Sequence, residues 1–217
     1  LSELHNRANA QPFEKILPVI RDEMGSSPTD CFDSLDSVPV AAASIAQVHR
    51  GKYNGMDVAV KVQFPDVDRL STGDVRTIEL ITDAISWVFP EFKLKWLVRE
   101  FDANLPLELD FTHEAANSNR TRKLFANDPR FCTPKIFYAT KKVLVMEWID
   151  GVHIDDTAGI RNMDLNPHEV ASELNRVFSE QIFVHRFVHC DPHAGNVLVR
   201  KTKNRNFQIC LLDNGLY

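Results

Sequence analysis

His189-Cys190-Asp191-Pro192-His193-Ala194-Gly195-Asn196 sets a carboxylate and a carboxamide five residues apart, and Asp213-Asn214-Gly215 adds a second carboxylate after two short apolar segments. Oxygen ligands of this kind suit a hard divalent cation such as Mg²⁺, and a further carboxylate suits a hydroxyl that must be oriented or deprotonated. Moving a phosphoryl group from ATP needs both functions together. On that chemistry Asp191 is the candidate for the acceptor hydroxyl, while Asn196 and Asp213 are the candidate metal ligands. Any one of the three alone reads as an ordinary turn residue, since Asp and Asn often cap helices or close Asx-turns. Their joint spacing, which matches the catalytic loop and DFG element of protein kinases, carries the reading.

Upstream, Val58-Ala59-Val60-Lys61 has the form of a phosphate-pairing lysine strand. Alternation puts Val58, Val60 and Val62 on one face and Ala59 and Lys61 on the other, so a small residue and an ammonium share one side. Without the downstream motif this would be an edge strand with a solvated lysine. Glu108, Asp110 and Glu114 offer acidic partners for it. Asp110 and Glu114 are four apart, a like-charge pair on one helical face that a cation, Lys61 or Mg²⁺, would relieve; a solvated acidic first turn is the alternative for Asp110. Glu108 points elsewhere on a straight helix. Ala41-Ala42-Ala43-Ser44 stands where a Gly-rich phosphate loop would precede the lysine strand. On composition alone it reads as a short buried helical turn, although its N–H groups could face phosphate.

The elements that must position these residues follow from periodicity. A helix is predicted over Pro12 to Met24, closed by Gly25. Asn54-Gly55 between residues 46–52 and 57–63 predicts a hairpin, which Pro65 ends. Val75, Ile78, Ile81, Ile85 and Val88 predict a helix over Ser71 to Phe89, with Ser71 and Asp74 as its capping pair. Further helices are expected over Lys93 to Asn104, Pro106 to Asn127 and Pro167 to Phe187. Strands are expected over Lys135 to Ala139, Val143 to Trp148, Val197 to Val199 and Ile209 to Leu212, the last two joined by the basic loop Lys201 to Asn206.

With 217 residues, 44% of them hydrophobic, the chain can bury a core without disulfides. Its four cysteines form no CxxC pair, so reduced thiols are expected. A formal net charge of −5, with acids and bases interleaved, excludes a dedicated nucleic-acid binder. No apolar run approaches the roughly 20 residues of a membrane-spanning helix.

Val38-Pro39-Val40-Ala41-Ala42-Ala43-Ser44-Ile45-Ala46-Gln47-Val48-His49, the Lys61 strand, Glu108-Leu109-Asp110 and Phe187 to Asn196 together resemble the UbiB (aarF-domain, ADCK) atypical kinases over nearly the whole chain. The mitochondrial ADCK branch is the closest, through Phe89-Pro90-Glu91-Phe92, Trp96-Leu97-Val98 and Asn104 to Phe111. The resemblance implies an α+β, protein-kinase-like two-lobed fold with an inserted helical subdomain and a truncated C-lobe. Its parts would be a helical extension over 1–37, an N-lobe over 38–150 with inserted helices over about 66–128, and a partial C-lobe over 151–217. It pairs Lys61 with Glu114 as catalytic groups beside Asp191, and places Glu108 and Asp110 as an ExD element near nucleotide and metal. Ala41, Ala42, Ala43, Ser44 and Ala59 would line the nucleotide, and the backbone from Glu147 to Ile149 would form the adenine hinge. ATP and Mg²⁺ are the implied cofactors. A lipid or quinone-pathway small molecule, peripheral contact with the mitochondrial inner membrane, and a role in coenzyme Q or lipid homeostasis are implied as well.

Three departures are evident. The family's KxGQ motif is not present, the chain beginning just downstream of its expected place; Asn214 replaces the aromatic residue of DFG, and Ala194 stands for a proline. An aminoglycoside- or choline-kinase-like phosphotransferase also fits an Asp with an Asn five residues on, but not the alanine loop and ExD element. A nucleotide-sensing pseudokinase scaffold would keep the same residues. His185, His189, Cys190 and His193 could hold a transition metal, although structural hydrogen bonding is the commoner use of such residues.

Overall fold

In a computed structural model, residues 10–89, 91, 96, 98, 105–203 and 206–217 are described. The helix expected over Lys93 to Asn104 and the tip of the basic loop at Asn204 and Arg205 lie almost wholly outside them, as do the first nine residues.

Helix α1 (Phe13–Met24) is amphipathic and ends at Gly25, whose φ of 74° lets its N–H cap Arg21 C=O. The short α2 (Pro28–Cys31) leads to β1 (Ser34–Leu35), β2 (Ala41–Ala42), β3 (Ala46–Tyr53) and β4 (Met56–Gln63). Asn54 and Gly55 both take positive φ, 52° and 76°, the requirement of a two-residue turn that follows the natural strand twist. Strands β6 (Ile136–Ala139) and β7 (Val143–Glu147) complete a sheet of order β1-β3-β4-β7-β6, with β2 paired to β3. One face carries Val58, Val60, Val62, Val143 and Val145, all fully buried against Ile16 and Ile20 of α1. Each such side chain contributes about 1.5–3 kcal/mol on burial. The opposite face carries Ala46, Ala59, Leu144 and Met146 and receives Phe111 and Ala115 of α4 (Phe111–Leu124).

The second sheet runs β5-β10-β9-β8, formed by β5 (Phe131–Cys132), β8 (Val152–His153), β9 (Val197–Lys201) and β10 (Phe207–Leu211). Its core joins Val197, Val199, Ile209 and Leu211 to Ile160 of α5 (Thr157–Asn162) and to Val170 and Val177 of α6 (Pro167–Glu180). The link between the sheets passes through Gly151. A Cβ there would lie 2.7 Å from the Val199 C=O, so only glycine lets the linker cross β9 so closely.

Several local expectations are corrected. Helix α3 (Val67–Val88) begins four residues before Ser71, so Ser71 and Asp74 lie inside it and are not its cap. The helix expected from Pro106 is broken: residues 105–108 are helical, Asp110 is extended at φ −130°, and α4 starts at Phe111. Asp110 N-caps α4 by accepting from Thr112 N–H and Oγ1 at 2.9 and 2.6 Å. The alanine loop is extended, not helical, because Ala41 and Ala42 pair with Val48 and Gln47 and the Ala43 N–H closes onto Ala46 C=O. Helix α6 passes into a π-helical turn, Gln181–His185, before the catalytic-loop residues. Finally, Cys132 and Cys210 form a disulfide. Linear spacing gives no hint of it; the parallel pairing of β5 with β10 sets the two cysteines directly opposite.

Candidate active site

Three elements converge on one ammonium. Lys61 sits on β4 beyond Ala59, and its Nζ donates to Glu114 Oε2 at 2.7 Å and to Asp213 Oδ2 at 2.9 Å. Its side chain is 11% exposed and that of Glu114 4%. The Nζ also lies 5.0 Å from the centroid of the Phe111 ring, the first residue of α4. Helical pitch then decides which acid reaches the lysine: Glu114, one turn into α4, faces the sheet with Phe111, whereas Asp110 is committed to the cap. Lys61 therefore pairs with Glu114 and Asp213 and does not lie between Asp110 and Glu114.

Two carboxylates share a single ammonium, and their environments separate them. Burial pushes Glu114 up to about 7, with the charge of Asp213 adding to it and Lys61 pulling the other way. Burial also acts on Asp213, but Lys61 and the Gly215 N–H, which donates to Oδ1 at 3.0 Å, hold it below the usual carboxylate range. Burial works against the charge of Lys61; Asp213 and Glu114 outweigh it and raise the ammonium above its ordinary value. The Asn214 N–H also acts on the Glu114 carboxylate and lowers it.

The catalytic-loop segment is held from behind by Gln181, which the sequence did not single out, and by His189 in a role other than the metal ligand considered there. Gln181 Oε1 accepts the His189 N–H at 2.9 Å. His189 Nδ1 accepts the Asp191 N–H at 3.1 Å, so its Nε2 carries the proton and donates to the Asp213 C=O. One buried imidazole thus ties Asp191 to Asp213. Asn196 Nδ2 donates to the Asp191 C=O at 3.3 Å, which leaves its amide oxygen as the atom suited to a cation. The Asp191 side chain is 56% exposed, with His193 Nε2 at 3.7 Å. Asn117, three residues after Glu114, donates to the Asn214 C=O at 3.0 Å, and Tyr217 Oη donates to Asn214 Oδ1 at 2.8 Å. Polar Asn214, standing where an aromatic residue was expected, is thereby buried and satisfied.

Glu108 faces the same group. Burial raises its carboxyl, and the charges of Asp213 and Asp191 raise it further. Gln63, two residues beyond Lys61 on the same face of β4, donates Nε2 to the Leu109 C=O at 2.9 Å and to the Lys141 C=O at 3.2 Å. It fixes the turn between Glu108 and Asp110. A fully buried amide in an otherwise apolar strand is a signal that alternation with Lys61 could have disclosed.

The alanines expected at the nucleotide lie on the same sheet as Lys61, since Ala41 pairs with Val48 and Val48 pairs with Lys61. Ala41, Ala43 and Ser44 are exposed at the β2–β3 turn, while Ala42 and Ala59 are buried. The Glu147 side chain binds Arg200 Nη1 at 3.2 Å and the Lys135 N–H, the Trp148 N–H is taken by the Asp57 C=O, and Ile149 is buried. Among the described residues no group of three or more His, Cys, Asp or Glu is arranged to hold a metal ion. His185 instead meets the Phe125 ring edge-on, and His193 Nδ1 accepts the Gly195 N–H. Asp213 with the oxygen of Asn196 fits Mg²⁺ better than a transition metal, because Mg²⁺ takes few protein oxygens and completes its shell with phosphate and water.

Comparisons with known proteins establish the family and the fold. Residues 3–217 match the ABC1 atypical kinase-like domain. The chain is 42% identical over 217 residues to AarF domain-containing kinase 1 of Drosophila melanogaster, covering 99% of this chain and 42% of that protein. It is 40% identical over 221 residues to AarF domain-containing protein kinase 1 of Mus musculus, covering 100% and 42%. The chain thus spans about two fifths of the length of these relatives. The solved Rv3197–erythromycin complex from Mycobacterium tuberculosis superposes with a TM-score of 0.79 at 28% identity, over 97% of this chain and 53% of that one. A protein-kinase-like α+β fold, a lysine bridging two acids from separate elements, and a family match along almost the entire length lead to one statement: the chain belongs to the ABC1 (AarF) atypical kinase-like family.

Proposed function

We propose that the chain binds Mg²⁺ and ATP in the cleft around Lys61 and passes the terminal phosphoryl group to a small-molecule or lipid-linked acceptor, or to water. The observation that carries this reading is the Lys61 ammonium shared by Glu114 and Asp213, with Asp191 and Asn196 tied to Asp213 through His189. Lys61 would exchange its Asp213 contact for phosphate oxygen and keep Glu114 as its anchor. Asp213 and the Asn196 oxygen would hold Mg²⁺, whose chemistry is to neutralise charge on the phosphates. Exposed Asp191 would orient the acceptor hydroxyl and take its proton. Glu108 stands close enough to Asp191 and Asp213 to feel both charges and would repel a misplaced phosphate unless the cation is present.

The family extends the proposal to a setting at the mitochondrial inner membrane, with a lipid or quinone-pathway substrate and a part in coenzyme Q or lipid homeostasis. No helix among the described residues is long and apolar enough to cross a membrane. One observation favours a second reading, a nucleotide-sensing scaffold: both oxygens of Asp213 are already engaged, Oδ2 by Lys61 and Oδ1 by the Gly215 N–H.

A thermal-shift titration with ATP, with and without Mg²⁺, beside Asp213→Asn tests the site. Ligand at about 100 times its Kd adds roughly 2.7 kcal/mol, or about 5–10 °C at this chain length. A Mg²⁺-dependent shift that the variant loses is the expected result; no shift in a folded sample overturns the proposal. Phosphate release with and without lipid vesicles then separates turnover from sensing.

A further inference from the structure

The disulfide and the groove beside it form a second place where chemistry can occur. Cys132 and Cys210 are 78 residues apart in sequence, with Cα atoms 4.7 Å apart across the parallel β5–β10 pair. The two sulfurs are not equivalent. Cys210 is fully buried, whereas Cys132 is partly exposed and lines an open groove of about 690 Å³ between the end of α4 and β9–β10. Arg200 Nη2 lies 3.7 Å from Cys132 Sγ as a donor, the arrangement that favours a thiolate over a thiol. The groove's acids already have partners, Asp128 with Arg176 and Glu147 with Arg200. Exposed Arg122 and Lys123 on its rim give it a surplus of positive charge.

The geometry points to a redox site: Cys132–Cys210 undergoes thiol–disulfide exchange with an anionic low-molecular-weight thiol of the glutathione class that enters through this groove. The thiolate attacks Cys132 Sγ, the S–S bond breaks, and Cys210 leaves and takes a proton. A second thiolate attacks the small-molecule sulfur of the mixed disulfide at Cys132 and releases the Cys132 thiolate beside Arg200. Two thiols are oxidised to one disulfide and the protein disulfide gains both electrons; one thiol proton ends on Cys210 and the other passes to solvent, leaving Cys132 as the thiolate. The reverse sequence, starting from the oxidised small molecule, closes the bond.

The bond is also placed to be felt in the cleft. Cys132 is followed by Thr133 and Pro134, which are hydrogen-bonded to Ser118 on α4, one turn beyond Glu114. Cys210 lies three residues before Asp213 on the strand that delivers it. The disulfide therefore joins the segments that carry the two acids around Lys61. The inference rests on the cysteine geometry alone and stands or falls apart from the proposed nucleotide chemistry.

The test equilibrates the folded chain in glutathione buffers of graded reduced-to-oxidised ratio, quenches with acid, tags free thiols and maps each cysteine by mass spectrometry. Cys132 and Cys210 are expected to lose and gain the tag together in one transition, and Cys210→Ser is expected to trap glutathione on Cys132. Arg122→Gln with Lys123→Gln should slow exchange with glutathione about threefold to tenfold and leave exchange with uncharged 2-mercaptoethanol unchanged. Both cysteines tagged at every ratio, or a bond that opens only in denaturant, overturns the inference. Equal slowing with both thiols overturns the assignment to an anionic partner.

Discussion

Two clusters in this molecule surround a cation with carboxylates, and they are built to opposite ends. In the α6 cluster the Arg176 guanidinium meets Asp128, Glu173 and Glu180, and Arg130 Nη1 adds a contact to Glu173 at 3.3 Å. A planar fork with five donors can saturate several acids at once, and its side chain is 35% exposed, so water screens what remains. In the cleft, Lys61 and Glu114 are almost wholly buried, while the Asp213 side chain that shares the ammonium is 40% exposed and open to the cleft. The first arrangement is complete in itself. The second gathers more acid than it can neutralise, because Glu108 stands near enough to Asp191 and Asp213 to feel both charges and four acids then share one ammonium, the state of a site that receives a further cation. Stability and function are told apart here by the ratio of acids to cations, three to two around Arg176 and four to one around Lys61, and not by the number of ion pairs.

The strongest way to break the comparison is Glu114→Ala. It leaves a buried ammonium with Asp213 alone, and loss of one partner from a buried pair costs about 3–5 kcal/mol. Urea unfolding should show that loss, together with disappearance of any Mg²⁺-dependent nucleotide shift. A milder probe is pH. Glu114 is raised from 4.5 to about 7 in the fold, so between those values the folded chain holds a proton that the unfolded chain has released. Stability therefore falls as pH rises from about 4.5 and levels off above about 7, by an amount on the order of 1–3 kcal/mol. Asp213 is shifted downward, so its own contribution is lost only in more acidic solution and does not disturb this window. Glu108 is also raised and His49 lowered, and both slope the profile of either chain in this window. Urea midpoints between about pH 5 and pH 8 should therefore fall more steeply for the native chain than for Glu114→Gln. Parallel profiles of the two chains would show that Glu114 is ionised throughout, as in a saturated pair.

What the sequence disclosed and what it hid follow the same line between local and nonlocal causes. The Asn54-Gly55 turn, the alternation that sends Ala59 and Lys61 to one face, and the α1 stop at Gly25 are set by neighbours in the chain, and each was legible. The break before α4 was not. It depends on Gln63 and the Phe111 N–H reaching Leu109 and Lys141 across the fold, and a helical pattern runs through it unmarked. The disulfide hides for the same reason, since only the β5–β10 register joins its halves. His189 was visible as a residue in the catalytic turn, but its role as the link from Asp191 to Asp213 requires the position of β10.

Arg176→Ala sharpens the comparison from the saturated side. It removes contacts to three acids, but Arg130 still reaches Glu173 and water reaches Glu180. A loss of about 1–2 kcal/mol is expected in urea unfolding, with the nucleotide shift intact. A loss as large as that of Glu114→Ala would mean that exposure does not distinguish the two clusters.

The smallest effect concerns Asp110, which sits within reach of the cleft in sequence yet behaves like a residue of the saturated kind. Its Oδ1 is occupied by the Thr112 N–H and hydroxyl. Burial acts to raise its carboxyl, but these two bonds prevail and hold it below the ordinary value. Asp110→Ala should cost about 1 kcal/mol, the usual loss for an N-cap, while Asp110→Asn keeps the acceptor and should stay within about 0.5 kcal/mol of the native chain. Titration of both variants with ATP and Mg²⁺ decides the matter. If Asp110 is only a cap, Asp110→Asn binds as the native chain does and Asp110→Ala loses stability without losing the Mg²⁺ dependence. If Asp110→Asn abolishes the shift while remaining stable, the carboxylate has left its cap for the metal. The excess of negative charge in the cleft then includes α4's own N-terminus.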